Sequence, residues 1–459
     1  MISIGLILAF LFVFLHLRRE TQFYIFSIIV FYPFTFGKLK SIPNLLIMEW
    51  LVPIFFLMMI NDLNPVNKIN VNRVKISYKG LEIFIIALII LFIWTMHSYL
   101  INEILVETGG GGGILRYYYK ILINILTFFT VIMFLVQYHE DFDLEKWLKF
   151  LIIISILLGI TRIITFFLHV NIPLLVGTFK YNPRALKSFG GVAFRIGGLS
   201  TVTEVGLGAL FALNYLTGKN RIYLIMLFFI FVFMSGGRTL LVGFTTALII
   251  YSFFFFKRNI LYLTFIGGLA LILIFIFAPE QFIEGQLNRI TAFKGGVQQQ
   301  SKERYIAWMI HYKNFLKNPF WGKGVAPYTE YIYVKYKSSL ELVRSMLSYG
   351  GGHGSYISIL GTFGLGGILY LLTMTLGGII LAFRKVKLYM EEEPFLSALA
   401  IFGLINLVIK SIYYITAFNG IGDTSLFFVV GIIASIKAIE NKNLLEYTFG
   451  YEQNEEVDK

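Results

Sequence analysis

The chain has 459 residues, of which 57% are hydrophobic and 14% charged, and Lys and Arg outnumber Asp and Glu by 39 to 26. Soluble proteins carry about 25% charged residues, so this composition, with a mean hydropathy of +0.75, excludes an ordinary cytosolic enzyme. The balance of +13 would suit nucleic acid only on a continuous basic face in water; here apolar runs of membrane-spanning length separate the polar stretches, so no nucleic-acid partner is expected. With zero cysteines, disulfides, thiolate metal sites and a cysteine nucleophile are excluded.

A helix rises about 1.5 Å per residue, so crossing about 30 Å of hydrocarbon takes roughly 20 apolar residues. On that length the sequence divides into thirteen candidate spans: 2 to 17, 22 to 36, 43 to 60, 80 to 100, 117 to 138, 147 to 168, 201 to 217, 221 to 236, 239 to 256, 260 to 278, 355 to 383, 395 to 416 and 421 to 438. Pro33 and Pro53 interrupt the amino-terminal spans, which leaves a range of about 12 to 14. The first span lacks a preceding basic region and a following small-residue cleavage site, so it reads as an anchor and not a cleaved signal. The expected fold is all-α and polytopic, one transmembrane domain over 1–459.

Short loops rich in Lys and Arg mark the cytoplasmic side. Arg18 and Arg19, the group Lys68 to Lys79, Lys219 and Arg221, Lys257 and Arg258, and Arg384 to Lys387 all fall on one side under the thirteen-span scheme. This puts a tail over 440–459 in the cytoplasm and two long segments, 169–200 and 279–354, outside. The glycine run Gly109 to Gly113 reads as a flexible connector.

Ionisable groups inside spans are costly and therefore informative. Glu49, His97, Lys120, Arg162, Glu204, Arg238 and Lys410 map to the outer halves of their spans, and Glu82 to an inner boundary. Residues 169–200 hold Lys180, Arg184, Lys187 and Arg195 with no acidic residue, and 279–354 hold ten Lys/Arg against five Glu. A polar cavity open to the outside and suited to an anion follows. Arginine, whose planar fork donates in pairs, is preferred for phosphate, which singles out Arg195, Arg238 and Arg304.

Residues 301–317, SKERYIAWMIHYKNFLK, space Tyr305, Trp308, Tyr312 and Phe315 as one face of an amphipathic helix in the outer interface. The turn NPFWGKG at 318–324 stops it, and a Tyr-rich segment at 328–347 follows. Of the six histidines, His16, His139 and His311 read as surface or boundary residues. His353, in SYGGGHGSY at the mouth of the eleventh span, is the candidate general base, because imidazole titrates near neutrality.

RYIAWMIHYKNFLKNPFWGKGVAPY followed by GGGHGSYISILGTFGLGGILYLL resembles the signature of the O-antigen ligase and polymerase family: an Arg-containing aromatic helix, a P-x-x-G-x-G turn and a His opening the next span. SGGRTLL at 235–241 and FRIGGLSTVTEVG at 194–206 resemble two further pieces, in the family's order. Where the family often has Asn after the histidine, this chain has Gly354.

The resemblance implies a GT-C-like membrane glycosyltransferase in the bacterial cytoplasmic membrane, working on its outer face without metal or other cofactor. The donor would be an undecaprenyl-diphosphate-linked oligosaccharide, and a chain-length regulator is a further expected partner beside the lipid bilayer. Arg195, Arg238 and Arg304 would grip the diphosphate and His353 would activate the acceptor hydroxyl, with Glu204, Arg162, Lys410 and Tyr356 in support. Polymerisation of repeat units into O-antigen or capsule, ligation of finished glycan to a lipid acceptor, and transport of lipid-linked units as a flippase are the three activities to separate.

Overall fold

The computed structural model describes residues 2–32, 47–63, 81–101, 111–168, 172–174, 177–179, 196, 198–235, 237–255, 302–324, 355–390, 392–416 and 423–457. In chain order these form α1 (Ile2–His16), α2 (Arg19–Phe31), α3 (Ile47–Leu63), α4 (Glu82–Ile101), α5 (Gly111–Tyr138), α6 (Leu144–Phe167), α7 (Leu199–Thr217), α8 (Ile222–Ser235), α9 (Arg238–Phe255), α10 (Lys302–Lys317), α11 (Ser355–Leu372), α12 (Gly378–Tyr389), α13 (Pro394–Thr416) and α14 (Thr424–Val457). A π-turn, Thr373–Gly377, joins α11 to α12. A small antiparallel hairpin, β1 (Ile172–Leu174) with β2 (Gly177–Phe179), sits in the segment after α6 and pairs Ile172 with Phe179.

The outside of the bundle is apolar. Along α4, Ile83, Ile86, Ile89, Ile93 and Met96 are exposed at helical spacing, a stripe that water would penalise and lipid tails would solvate. Among the described residues, six helices are long and apolar enough to cross a membrane: Tyr119–Tyr138, Leu144–Phe166, Leu199–Thr217, Ser355–Tyr389, Pro394–Ile415 and Thr424–Lys442. Three shorter apolar helices accompany them. The chain is thus an all-α polytopic membrane protein. The expected span 260 to 278 lies outside the described residues.

Polar contacts tie the helix ends together. At one end Arg19 meets Asp62 at 2.6 Å, Tyr138 donates to Asp62 at 2.8 Å, His139 packs near Phe395, and Tyr215 donates to the carbonyl of Met390. Lys385 and Tyr389 both bond Glu440 there. These are the ends that the Lys/Arg rule assigns to the cytoplasm. Just before α6, Asp143 accepts from the Lys146 backbone at 2.9 Å, and the Lys146 side chain holds its carboxyl below the usual range. α7 runs through the middle of the bundle against α6 and α13, with Gly208 so close to Asn406 that an added methyl would lie 2.1 Å from its Nδ2.

Two expectations change. The expected span 355 to 383 is not one straight helix: Gly364 takes φ 60° and ψ −147° and breaks it. Three of the five glycines read as a connector, Gly111 to Gly113, lie in the first turn of α5, where backbone N–H groups lack intrahelical partners in any case. α14 runs on to Val457, through most of the 440–459 segment.

Candidate active site

The end opposite the Arg19–Asp62 contact holds a buried ionic cluster. Lys410 on α13 places its Nζ 2.8 Å from Glu204 of α7 and 2.9 Å from Asp423, which precedes α14. Ser425 Oγ accepts from the same ammonium at 2.7 Å, and Tyr414 donates to Asp423 at 2.6 Å. Asp423 also caps α14, accepting from the Ser425 backbone at 3.1 Å. One lysine thus bridges two carboxylates that come from different parts of the chain, Glu204 on α7 and Asp423 before α14. Nearby, Tyr32 of α2 and Ser155 of α6 share a hydrogen bond of 2.7 Å.

The sequence marks Glu204 and Lys410 separately as supporting residues, and the fold brings them into contact. The described partner of Glu204 is this lysine and not an arginine. Asp423 escapes the sequence reading, although an Asp directly before an apolar run is a helix-start signal.

Arg162, half-buried on α6, packs against the turn that starts α7. Gly198 adopts φ 82°, and a Cβ there would stand 2.3 Å from the Arg162 Cζ. Beside it, the Ile196 N–H donates to the Met234 carbonyl at 3.4 Å, and Ser235 Oγ accepts from Gly237 N–H at 3.2 Å. Ile196 of the FRIGG piece is thus bonded to Met234, the residue directly before SGGR, which starts 41 residues after FRIGG in sequence. Arg238 is the first residue of α9 and Arg304 lies in the first turn of α10; their side chains, like all of Arg195 and His353, lie outside the described residues, as does the 328–347 segment.

The P-x-x-G-x-G turn has a sharper role than ending a helix. Lys323 N–H donates to the Gly361 carbonyl at 3.0 Å, Gly324 N–H to Thr362 at 2.7 Å, and Leu365 N–H to the Pro319 carbonyl at 2.9 Å. Gly322, at φ 70°, lies against the Thr362 carbonyl. Trp94 of α4 donates from Nε1 to Phe320 O at 3.0 Å, and His97 stacks on Trp321 with centroids 3.8 Å apart.

Beyond the break the chain doubles back. Tyr356 donates to Thr375 Oγ1 at 3.4 Å, although a continuous helix would hold those residues about 28 Å apart. The half-buried Tyr356 and buried Ser355 therefore open a short half-helix, 355–363, lying beside the helix that follows it. His311, read from sequence as a boundary residue, is fully buried with its backbone against Gly361, and burial pushes its imidazole down to about 4. The buried face of α10 is centred on Ile310 and His311, while Tyr312 is exposed. α10 thus packs through Ile310 and His311, while Trp308 and Phe315 of the aromatic stripe are part-exposed.

Residues 223–372 match the family model described as O-antigen ligase. No curated protein is matched. The matched region takes in the SGGR turn, α10, the P-x-x-G-x-G turn and the broken helix, and its family implies a glycan-transferring enzyme acting on lipid-linked oligosaccharide in a membrane. Over residues 223–372 the chain is therefore similar to the O-antigen ligase family, in keeping with the O-antigen ligase and polymerase family that its motifs resemble.

Proposed function

We propose that the protein polymerises undecaprenyl-diphosphate-linked oligosaccharide repeat units into a surface polysaccharide, O-antigen or capsule, on the outer face of the bacterial cytoplasmic membrane. The observation that carries this reading is the doubled-back helix of the matched segment, which begins two residues after His353 and is braced by the P-x-x-G-x-G turn.

In the proposed reaction the acceptor hydroxyl oxygen bonds to the anomeric carbon of the donor while the bond from that carbon to the diphosphate oxygen breaks. His353 takes the hydroxyl proton, and undecaprenyl diphosphate leaves with the electron pair. Arg195, Arg238 and Arg304 hold the diphosphate, whose charge grows in the transition state; fixed guanidinium groups in a low-dielectric cleft stabilise that charge without a divalent cation. The junction of Ile196 with Met234 supports the pairing of the first two arginine segments. Arg162 stands beside that junction, while the Glu204–Lys410 pair and Tyr356 support the surrounding helices.

Ligation of finished glycan to another lipid acceptor is the second reading, favoured by the family model's own description. The deciding experiment incubates purified protein with lipid-linked repeat unit, without metal, and resolves the products by size. A ladder of multiples supports polymerisation. Transfer only to an added lipid acceptor supports ligation, and transbilayer movement of labelled unit without any transfer would replace both with transport.

A further inference from the structure

In an unbroken helix the Leu365 N–H would donate to the Gly361 carbonyl, and the next N–H to Thr362. Here Lys323 and Gly324 supply the donors to those two carbonyls, and Pro319 supplies the acceptor for Leu365. The ladder of α11 is thus completed by chain from the preceding turn. We propose that this backbone splice is the positioning device for the half-helix that starts at Ser355, and that Gly322 and Gly364 are, through it, positioning residues for His353. The inference rests on the reading of His353 as the acceptor-activating base.

Length shows why a break is needed. Ser355–Tyr389 spans 35 residues, about 52 Å as one helix, against about 30 Å of hydrocarbon. Bending at Gly364 leaves the later part to cross and turns 355–363 back beside it, with Ile359 against Gly367 and Tyr356 at Thr375. The angle at Gly364 therefore fixes where the half-helix begins, at Ser355, two residues after His353 in sequence. That angle belongs to a backbone region close to one that glycine alone populates. A Cβ at Gly364 would lie 2.5 Å from the carbonyl oxygens of Pro319 and Phe320, and one at Gly322 2.5 Å from the Thr362 carbonyl. Trp94 and the backbone of His311 hold the two sides of the splice from α4 and α10. None of these groups is assigned to the diphosphate, so disturbing the splice should separate catalysis from donor binding.

The test has two arms. Because the chain has no cysteine, Tyr356→Cys with Thr375→Cys can be treated with a short bis-maleimide and the peptides analysed by mass spectrometry; a cross-link is expected, and its absence would overturn the proposal whatever the activity. In the second arm, Gly364→Ala is expected to lower kcat on lipid-linked repeat unit about 100-fold, while Kd for undecaprenyl diphosphate without metal stays within about twofold. Trp94→Phe, which keeps the ring and loses the bond to Phe320, should shift kcat in the same direction by less and covers the case in which Gly364→Ala fails to fold. Equal losses of kcat and diphosphate affinity, or unchanged turnover in both variants, would overturn positioning. Full turnover in His353→Ala, with the cross-link intact and Gly364→Ala still slow, would remove His353 as the positioned group and overturn the proposal while leaving the doubled-back helix standing.

Discussion

Lys410 and Glu204 form an ion pair of 2.8 Å with both side chains less than a tenth exposed. Removing one partner of such a pair leaves an uncompensated buried charge, which costs about 3–5 kcal/mol. Lys410→Met should therefore lower the thermal unfolding temperature in detergent markedly, since it strands both Glu204 and Asp423. The triple change Glu204→Gln, Lys410→Met, Asp423→Asn should recover much of the loss. A single variant as stable as the parent would mean that the cluster does not bind α7, α13 and α14 together.

Gly198 makes a second prediction. At φ 82° with the Arg162 guanidinium against it, a left-handed non-glycine residue costs about 1–2 kcal/mol before any clash. Gly198→Ala should destabilise the fold by at least that amount, and pairing it with Arg162→Ala should relieve the part that comes from crowding. Additive losses in a double-mutant cycle would contradict the contact.

His311 predicts a pH dependence. Burial depresses its imidazole to about 4, below the ordinary value of about 6.5. Between those values the unfolded chain binds a proton that the folded chain does not, so stability is present above pH about 6.5 and is lost as pH falls toward 4. Replacing His311 with a non-titrating residue of similar size, such as Gln, should flatten unfolding temperature against pH over that window. A slope identical to the parent's would show that other groups govern the acid limb.

Donor binding through guanidinium groups predicts indifference to chelators. Turnover of lipid-linked repeat unit should be unchanged by EDTA and fall strongly in Arg238→Ala, and Arg238→Lys should rescue only partly because an ammonium lacks the paired fork. Inhibition by EDTA reversed by added divalent ion would overturn that part of the mechanism.

Hydropathy made the bundle legible in sequence, and the costly residues showed which end to look at: Glu204 and Lys410 stand out from their apolar spans before any contact is known. Their pairing was not legible, because no periodicity relates positions about 200 residues apart, and Asp423 looks like an ordinary helix cap. The doubled-back helix was hidden for another reason. Hydropathy averages over GTFGLGG and sees one span, whereas the glycines at 361 and 364 report close backbone approach and a left-handed φ, which composition cannot rank. His311 was misjudged because a polar type on an aromatic helix suggests solvent until the partner, Gly361, is in view.

The splice at 361–365 also bears on how the chain from 325 to 354 can vary. The turn 318–324 is fixed to the bundle by hydrogen bonds to α11 and by Trp94, so its place does not depend on the length of chain from 325 to 354. Insertions and deletions in that interval leave both of its anchors in register. Chain between two such anchors can change in length and sequence without rebuilding the helices that hold them, like a span rebuilt between fixed piers.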